Sequence, residues 1–238
     1  MNINNDNSST TIYKLKSLIL LLQFLVISNF VIASEQELTW SLGIVVSTVD
    51  SATDALNFFI AYRGHSNNIL AENNTHVTLG LPTIPGAGIV DESGSLPSAV
   101  YIGGGTMDNA SSFESFVSTS TDNVVIVQAL YVYTGSGYER WAGITIADVS
   151  TPEFPLLSFV ATEIDDMGTP PAITILLHEL FHRSGHAPPR VSGPMGHTED
   201  GNIMRAGPRD QDTGITADQK SWIRSHVETG GYYPPIPE

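Results

Sequence analysis

An α/β fold follows from the way strand-like and helix-like segments alternate along this chain of 238 residues. Its most apolar strand candidate, Asn123 to Tyr133, is a continuous run of the kind needed by a strand covered on both faces. A helix late in the chain is predicted by the apolar body Ile173-Thr174-Ile175-Leu176-Leu177, which gives the following residues a face to bury.

Taken in order, residues 39–49 are rich in β-branched side chains and read as the first strand. Asp50 or Ser51 then caps a helix to about Tyr62, with Ala55, Leu56, Phe59 and Ile60 on one face. Asn67 to Asn74 is a polar turn region, and His76 to Leu81 alternates like a second strand. Pro, Gly and Ser between Pro82 and Gly105 mark a long surface loop, interrupted by a short strand at Ala99–Ile102. A helix near Ser112–Ser118 precedes the apolar strand. Trp141–Ala147 reads as a shorter, edge-like strand, and residues 156–162 as another. Thr169 is a reasonable N-cap, Pro170 and Pro171 suit the first helical positions, and Gly185 supplies a stop. Residues 185–215 hold much Gly, Pro and Asp with little periodicity, so something other than a packed element must hold them. Thr216-Ala217-Asp218-Gln219 opens a last helix to about Val227, with Trp222, Ile223 and His226 or Val227 near one stripe.

The chemistry concentrates in His178-Glu179-Leu180-Phe181-His182, followed by Gly185, His186, His197 and Gly201-Asn202-Ile203-Met204. On a helix, residues four apart share a face, so His178 and His182 can hold one ion while Glu179 reaches a water on it. A short pattern of this kind also arises by chance. Here four of the seven histidines fall between 178 and 197, and the segment has a start, an apolar body and a stop. These surroundings predict a zinc site. His65, His76 and His226 lie outside any ligand spacing and read as surface or packing residues.

Composition bounds the rest. Lys14 and Lys16 precede an apolar run from Leu18 to about Ile32, and Val31-Ile32-Ala33 suits cleavage before Ser34, so residues 1–33 read as a signal peptide and 34–238 as one catalytic domain. The run carries Gln23, Ser28 and Asn29 and is short for the roughly 20 apolar residues of a membrane span. Secretion, to the outside or to a periplasm, is therefore expected, with no stable membrane association after cleavage. The absence of cysteine excludes disulfides, thiolate metal sites and a cysteine nucleophile. A formal charge of −15, which cleavage would leave as acidic, disfavours nucleic acid and anionic membranes as partners. The protein is expected to act as a monomer.

The motif resembles the metzincin clan of zinc endopeptidases, whose pattern is His-Glu-x-x-His-x-x-Gly-x-x-His followed by a methionine-containing turn. The matching residues are His178, Glu179, His182, Gly185 and the turn Asn202-Ile203-Met204. The resemblance implies a twisted, mostly parallel sheet, two long helices, an antiparallel edge strand and a C-terminal helix after the methionine turn. One departure stands out: Pro188 occupies the place of the third histidine. Reading 186–194 as a nine-residue insertion makes His197 the third ligand, seven residues before Met204; His186 is the rival, and Asp200 a further alternative. A glutamate ligand at Glu199 is a poor fit, because Gly and Pro residues between it and His182 preclude a presenting helix.

The resemblance further implies that His178, His182 and His197 bind Zn2+, that Glu179 is the general base, and that Met204 forms a floor under the imidazoles. The 141–147 strand would pair with an extended protein or peptide substrate. Two competitors remain: a binding protein on a catalytically degenerate metzincin-like scaffold, and a zinc amidase acting on cell-wall peptides. Asp200, Asp210 and Asp212 read as solvated loop carboxylates rather than a calcium site. Asn73 and Asn109 open glycosylation-type triplets.

Overall fold

A computed structural model describes residues 35–47, 52–80, 96–103, 108–116, 122–146, 157–184 and 200–229. The expected signal peptide at 1–33 lies outside the described residues. So do Gly185, His186, Pro188, His197 and most of the loop after Pro82.

The fold is mixed α/β. Strands β1 (Leu38–Trp40) and β2 (Leu42–Ser47) lead into helix α1 (Ala52–Glu72). Strands β3 (Val77–Leu79) and β4 (Ala99–Ile102) follow, then a 3-10 segment at Ala110–Phe116. Next come β5 (Asp122–Val127), β6 (Ala129–Tyr133), β7 (Tyr138–Arg140), β8 (Gly143–Ile146) and β9 (Leu157–Ala161). Helices α2 (Ile175–Ser184) and α3 (Ala217–Glu228) complete it.

The central sheet runs β2-β5-β9-β8. Its first two pairings are parallel, and β8 joins β9 antiparallel at the edge. β1 pairs with β3 in parallel, and β4, β6 and β7 form a third, mixed sheet. The two faces of the central sheet are both covered, so β2, β5 and β9 are buried along their whole length and are mostly apolar. Ile44, Val46, Val124, Ile126 and Val160 pack in one core with Phe59, Ile69, Leu70, Leu177, Leu180, Phe181 and Met204. Their strand neighbours Val45, Val125, Val127, Phe159 and Ala161 point to the opposite core, with Val100, Phe113 and Leu130.

Several sequence expectations are corrected. The apolar run 123–133 breaks at Gln128 into two strands serving different sheets. Helix α1 runs ten residues beyond Tyr62, through the stretch read as a polar turn. Its polar residues face backbone that needs partners: the Asn67 amide donates to the Leu79 carbonyl at 3.3 Å and its Oδ1 accepts from Leu79 N–H at 2.7 Å. The buried face is Phe59, Tyr62, Ser66, Ile69 and Leu70, while Ile60 is exposed. The helix ends where Asn74 turns left-handed at φ 52°, a conformation that asparagine tolerates.

Helix α2 starts at Ile175, not at the prolines. Residues before it are held by tertiary bonds instead: Tyr62 O–H donates to the Pro171 carbonyl at 2.7 Å, Ile173 N–H to Asp210 at 2.8 Å, and the Thr174 hydroxyl to the Arg209 carbonyl at 3.1 Å. Thr169, expected as the cap, donates its own N–H to Asp165 in a separate turn. Helix α3 begins as expected, with Thr216 and Gln219 in a reciprocal capping box. Trp222 does not join its buried stripe, being 45% exposed, whereas Ile223 and His226 are buried.

Both triplet asparagines are occupied structurally. Asn73 donates to the Thr213 carbonyl and accepts from Ile215 N–H, and Asn109 bridges Ala99 and Tyr101. No helix among the described residues is long and apolar enough to cross a membrane.

Candidate metal and proton-transfer site

Helix α2 lies against strands β8 and β9, and its last two turns carry His178, Glu179 and His182. Leu177, Leu180 and Phe181 fill the core beneath it, and His178, Glu179, Arg183 and Ser184 are buried as well, so rotation of the helix would break close contacts on most of its circumference. Its orientation is therefore set by packing.

His178 and His182 meet one turn apart, their Nε2 atoms separated by 3.0 Å. The other nitrogen of His178, Nδ1, lies 2.7 Å from the Ile203 carbonyl oxygen. A carbonyl only accepts, so Nδ1 carries the proton and Nε2 keeps its lone pair directed toward His182. That is the tautomer required of an Nε2 metal ligand, with the outer hydrogen bond already in place. Two imidazole nitrogens on one tetrahedral zinc, each at about 2.0–2.1 Å, would sit about 3.4 Å apart, a small adjustment from the observed pair. This half of a donor set fits zinc.

Among the described residues, no group of three or more His, Asp or Glu side chains is gathered so as to hold a metal. His197 and His186, the histidines expected from the sequence to complete the set, lie outside them. Asp200 does not approach the pair. It is exposed and accepts from the Arg205 guanidinium at 2.5 Å, a contact that holds its carboxyl below the ordinary range. Asp210 is exposed, as expected, and accepts from Ile173 N–H, whereas Asp212 is buried, accepting from the N–H groups of Gly201 and Arg209.

Glu179 is 2% exposed, and burial pushes its carboxyl up to about 8 against the opposing hydrogen bond from Thr145. The Thr145 hydroxyl lies 2.8 Å from the Glu179 carbonyl oxygen, 2.9 Å from its Oε2, and 3.0 Å from the Ser158 hydroxyl. Such a carboxyl can take and release a proton near neutral pH, which is what general acid and base work requires.

The turn that meets His178 is tied down from several sides. Asn202 Oδ1 accepts from Met204 N–H at 2.8 Å, and the Asn202 and Gln219 amides exchange two hydrogen bonds of 3.0 Å. Gly201 and Ile203 bond to Gly214, so the turn is held both to the α3 cap and to its own flanking loop. Met204 is fully buried in the core that also receives helix α2.

No protein-family model matches the chain, and no curated protein does. The functional reading therefore rests on the residues of the site.

Sequence reasoning did not connect four buried residues, Trp40, Asp122, Arg183 and His226. Asp122, at the head of β5, accepts from the Arg183 guanidinium, from Trp40 Nε1 at 2.5 Å and from His226 Nε2 at 2.5 Å. Burial alone would raise the Asp122 carboxyl, but the His226 bond, the Arg183 charge and the Trp40 bond hold it at about 2. Of the two roles expected for His226, surface or packing, the structure gives packing. His226 joins α3 to the sheet and, through Asp122, to the last turn of α2. A charged residue opening an otherwise apolar strand, Asp122-Asn123-Val124-Val125-Ile126-Val127, was the available signal.

Proposed function

We propose that this chain is a secreted, zinc-dependent endopeptidase of metzincin type. The observation that carries the reading is the convergence of His178 and His182 Nε2 at 3.0 Å, with the His178 tautomer set by Ile203 and the next residue in the helix a buried carboxyl. His178 and His182 would hold Zn2+ together with His197, or with His186 in its place. When bound, zinc supplies a Lewis acid that polarises a carbonyl and lowers the pKa of water towards about 7.

Glu179 would take the proton of the attacking water and hand it to the departing amine, the work of a general base and then a general acid. Ile203 keeps the His178 ring in the ligating tautomer. Among the described residues strand β8 pairs with β9 on one side only, and its outer edge would offer backbone N–H and C=O groups to an extended peptide. The same reading makes Met204 a support beneath the imidazoles, residues 1–33 a cleaved export signal, and the substrate a protein or peptide rather than a nucleic acid.

The test is direct. The mature chain should bind about one zinc per molecule and cleave a denatured protein, with activity lost to a chelator and restored by zinc. Zinc binding without hydrolysis of any protein or cell-wall peptide would instead make it a binding scaffold. Failure to bind zinc would remove the proposal altogether.

A further inference from the structure

Strand β8 presents two residues to Glu179. Side chains alternate across a strand, so Gly143 and Thr145 face helix α2 while Ile144 and Ile146 turn to the opposite core. A Cβ on Gly143 would fall 2.7 Å from Oε1 and 2.8 Å from Cγ of Glu179, inside the closest approach that real side chains make. The bare Cα is thus the surface on which the carboxyl lies. Two residues on, the Thr145 hydroxyl reaches Oε2 of the same carboxyl at 2.9 Å, and the Glu179 carbonyl at 2.8 Å. Thr145 is itself anchored by its cross-strand partner, Ser158, whose buried hydroxyl is 3.0 Å away. One carboxyl oxygen is held by a hydroxyl, and the other rests where only glycine leaves room.

We propose that Gly143 and Thr145 are positioning residues for Glu179, fixing the general base to the strand whose open edge receives the substrate. The inference rests on the peptidase reading above and adds residues outside the His-Glu-x-x-His segment. Its physical content is registration: because the base and the substrate-pairing backbone share β8, their separation does not depend on a loop. A misplacement of about 1 Å at such a group can cost about 100-fold in rate.

Three variants test it: T145V, which keeps shape and removes the hydroxyl, T145S, which restores it, and G143A. The readouts are kcat and KM on a peptide, zinc content, and crystal structures of the zinc-free variants. T145V should lower kcat by about 10–100-fold, with KM changed less than about twofold and zinc content unaltered. T145S should recover most of the loss. In the crystals, the Glu179 carboxyl should leave its place in T145V and G143A and keep it in T145S. If T145V does not fold, G143A carries the same comparison. Wild-type kcat in T145V or G143A, or a carboxyl unmoved in both, would overturn the proposal. A wild-type chain with neither zinc nor hydrolysis would sink the peptidase reading instead, and the crystal comparison would still decide whether these residues place Glu179.

Discussion

The Nδ1–H of His178 donates to the carbonyl oxygen of Ile203 at 2.7 Å, joining the helix of the His-Glu-x-x-His segment to a turn 25 residues later. A backbone acceptor cannot be replaced by mutation, but it can be moved. Gly214 is the place to do so, because a Cβ there would lie 2.8 Å from the Gly201 carbonyl oxygen, backbone against which it cannot yield. Gly214→Ala should displace the turn, lower stability by about 1–3 kcal/mol, and weaken zinc binding by about 10–100-fold. Thermal unfolding and a competitive zinc titration check the two effects. Unchanged zinc affinity alongside lost stability would show that the turn does not tune the ligand.

Glu179→Gln removes the proton acceptor while keeping the size and burial of the side chain. Zinc content should be retained, and hydrolysis should fall by at least about 100-fold, the usual contribution of a positioned base. Metal analysis beside a peptide assay measures both. Substantial residual turnover would assign the proton transfer to another group.

The Asp122 cluster should dominate acid sensitivity. A carboxyl lowered from 3.8 to about 2 in the folded chain contributes stability that is fully present above its ordinary value. That contribution is lost as pH falls through about 2, because the unfolded chain takes up the proton first. The stability gap between the wild type and Asp122→Asn should therefore be widest above about pH 4 and close progressively below it. At neutral pH, Asp122→Ala should cost about 3–5 kcal/mol, since it leaves the Arg183 guanidinium buried beside no counter-charge from that side chain. Urea titrations across pH 2–7 measure both; a gap independent of pH would refute the assignment.

The α3 cap should couple to the methionine turn. Thr216→Ala removes the capping hydroxyl and should cost about 1 kcal/mol. Asn202→Ala and Gln219→Ala should be non-additive by about 0.5–3 kcal/mol, because each strips the other of two hydrogen bonds. A double-mutant cycle on chemical unfolding gives the coupling energy directly.

Legibility in the sequence varied with the range of the interaction. The strands at 99–102, 143–146 and 157–161 could be read from their local apolar pattern, whereas the single strand read at 39–49 is two, Leu38–Trp40 and Leu42–Ser47, in different sheets, a division made by their distant partners. The α3 start was equally plain, since Thr216 and Gln219 act within one turn. Helix α1 extends past its expected end because Asn67, which looks like a turn residue, bonds through its side chain to Leu79, while Asn73 and Asn74 do form the expected turn. The start of α2 lies beyond the prolines for a similar reason, Pro171 being held through its carbonyl by Tyr62 rather than by the helix.

From the chain of residues alone came the alternation of elements, the acidic and cysteine-free character, and the pairing of His178 with His182 on one helical face, all consequences of composition or of contacts within about one turn. Folding decided the rest: the tautomer of His178, the proton affinity of Glu179, the seat made by Gly143 and Thr145, and the burial of His226 against Asp122. Each of these depends on groups brought together from distant parts of the chain and stripped of water, and no local pattern records which groups will meet.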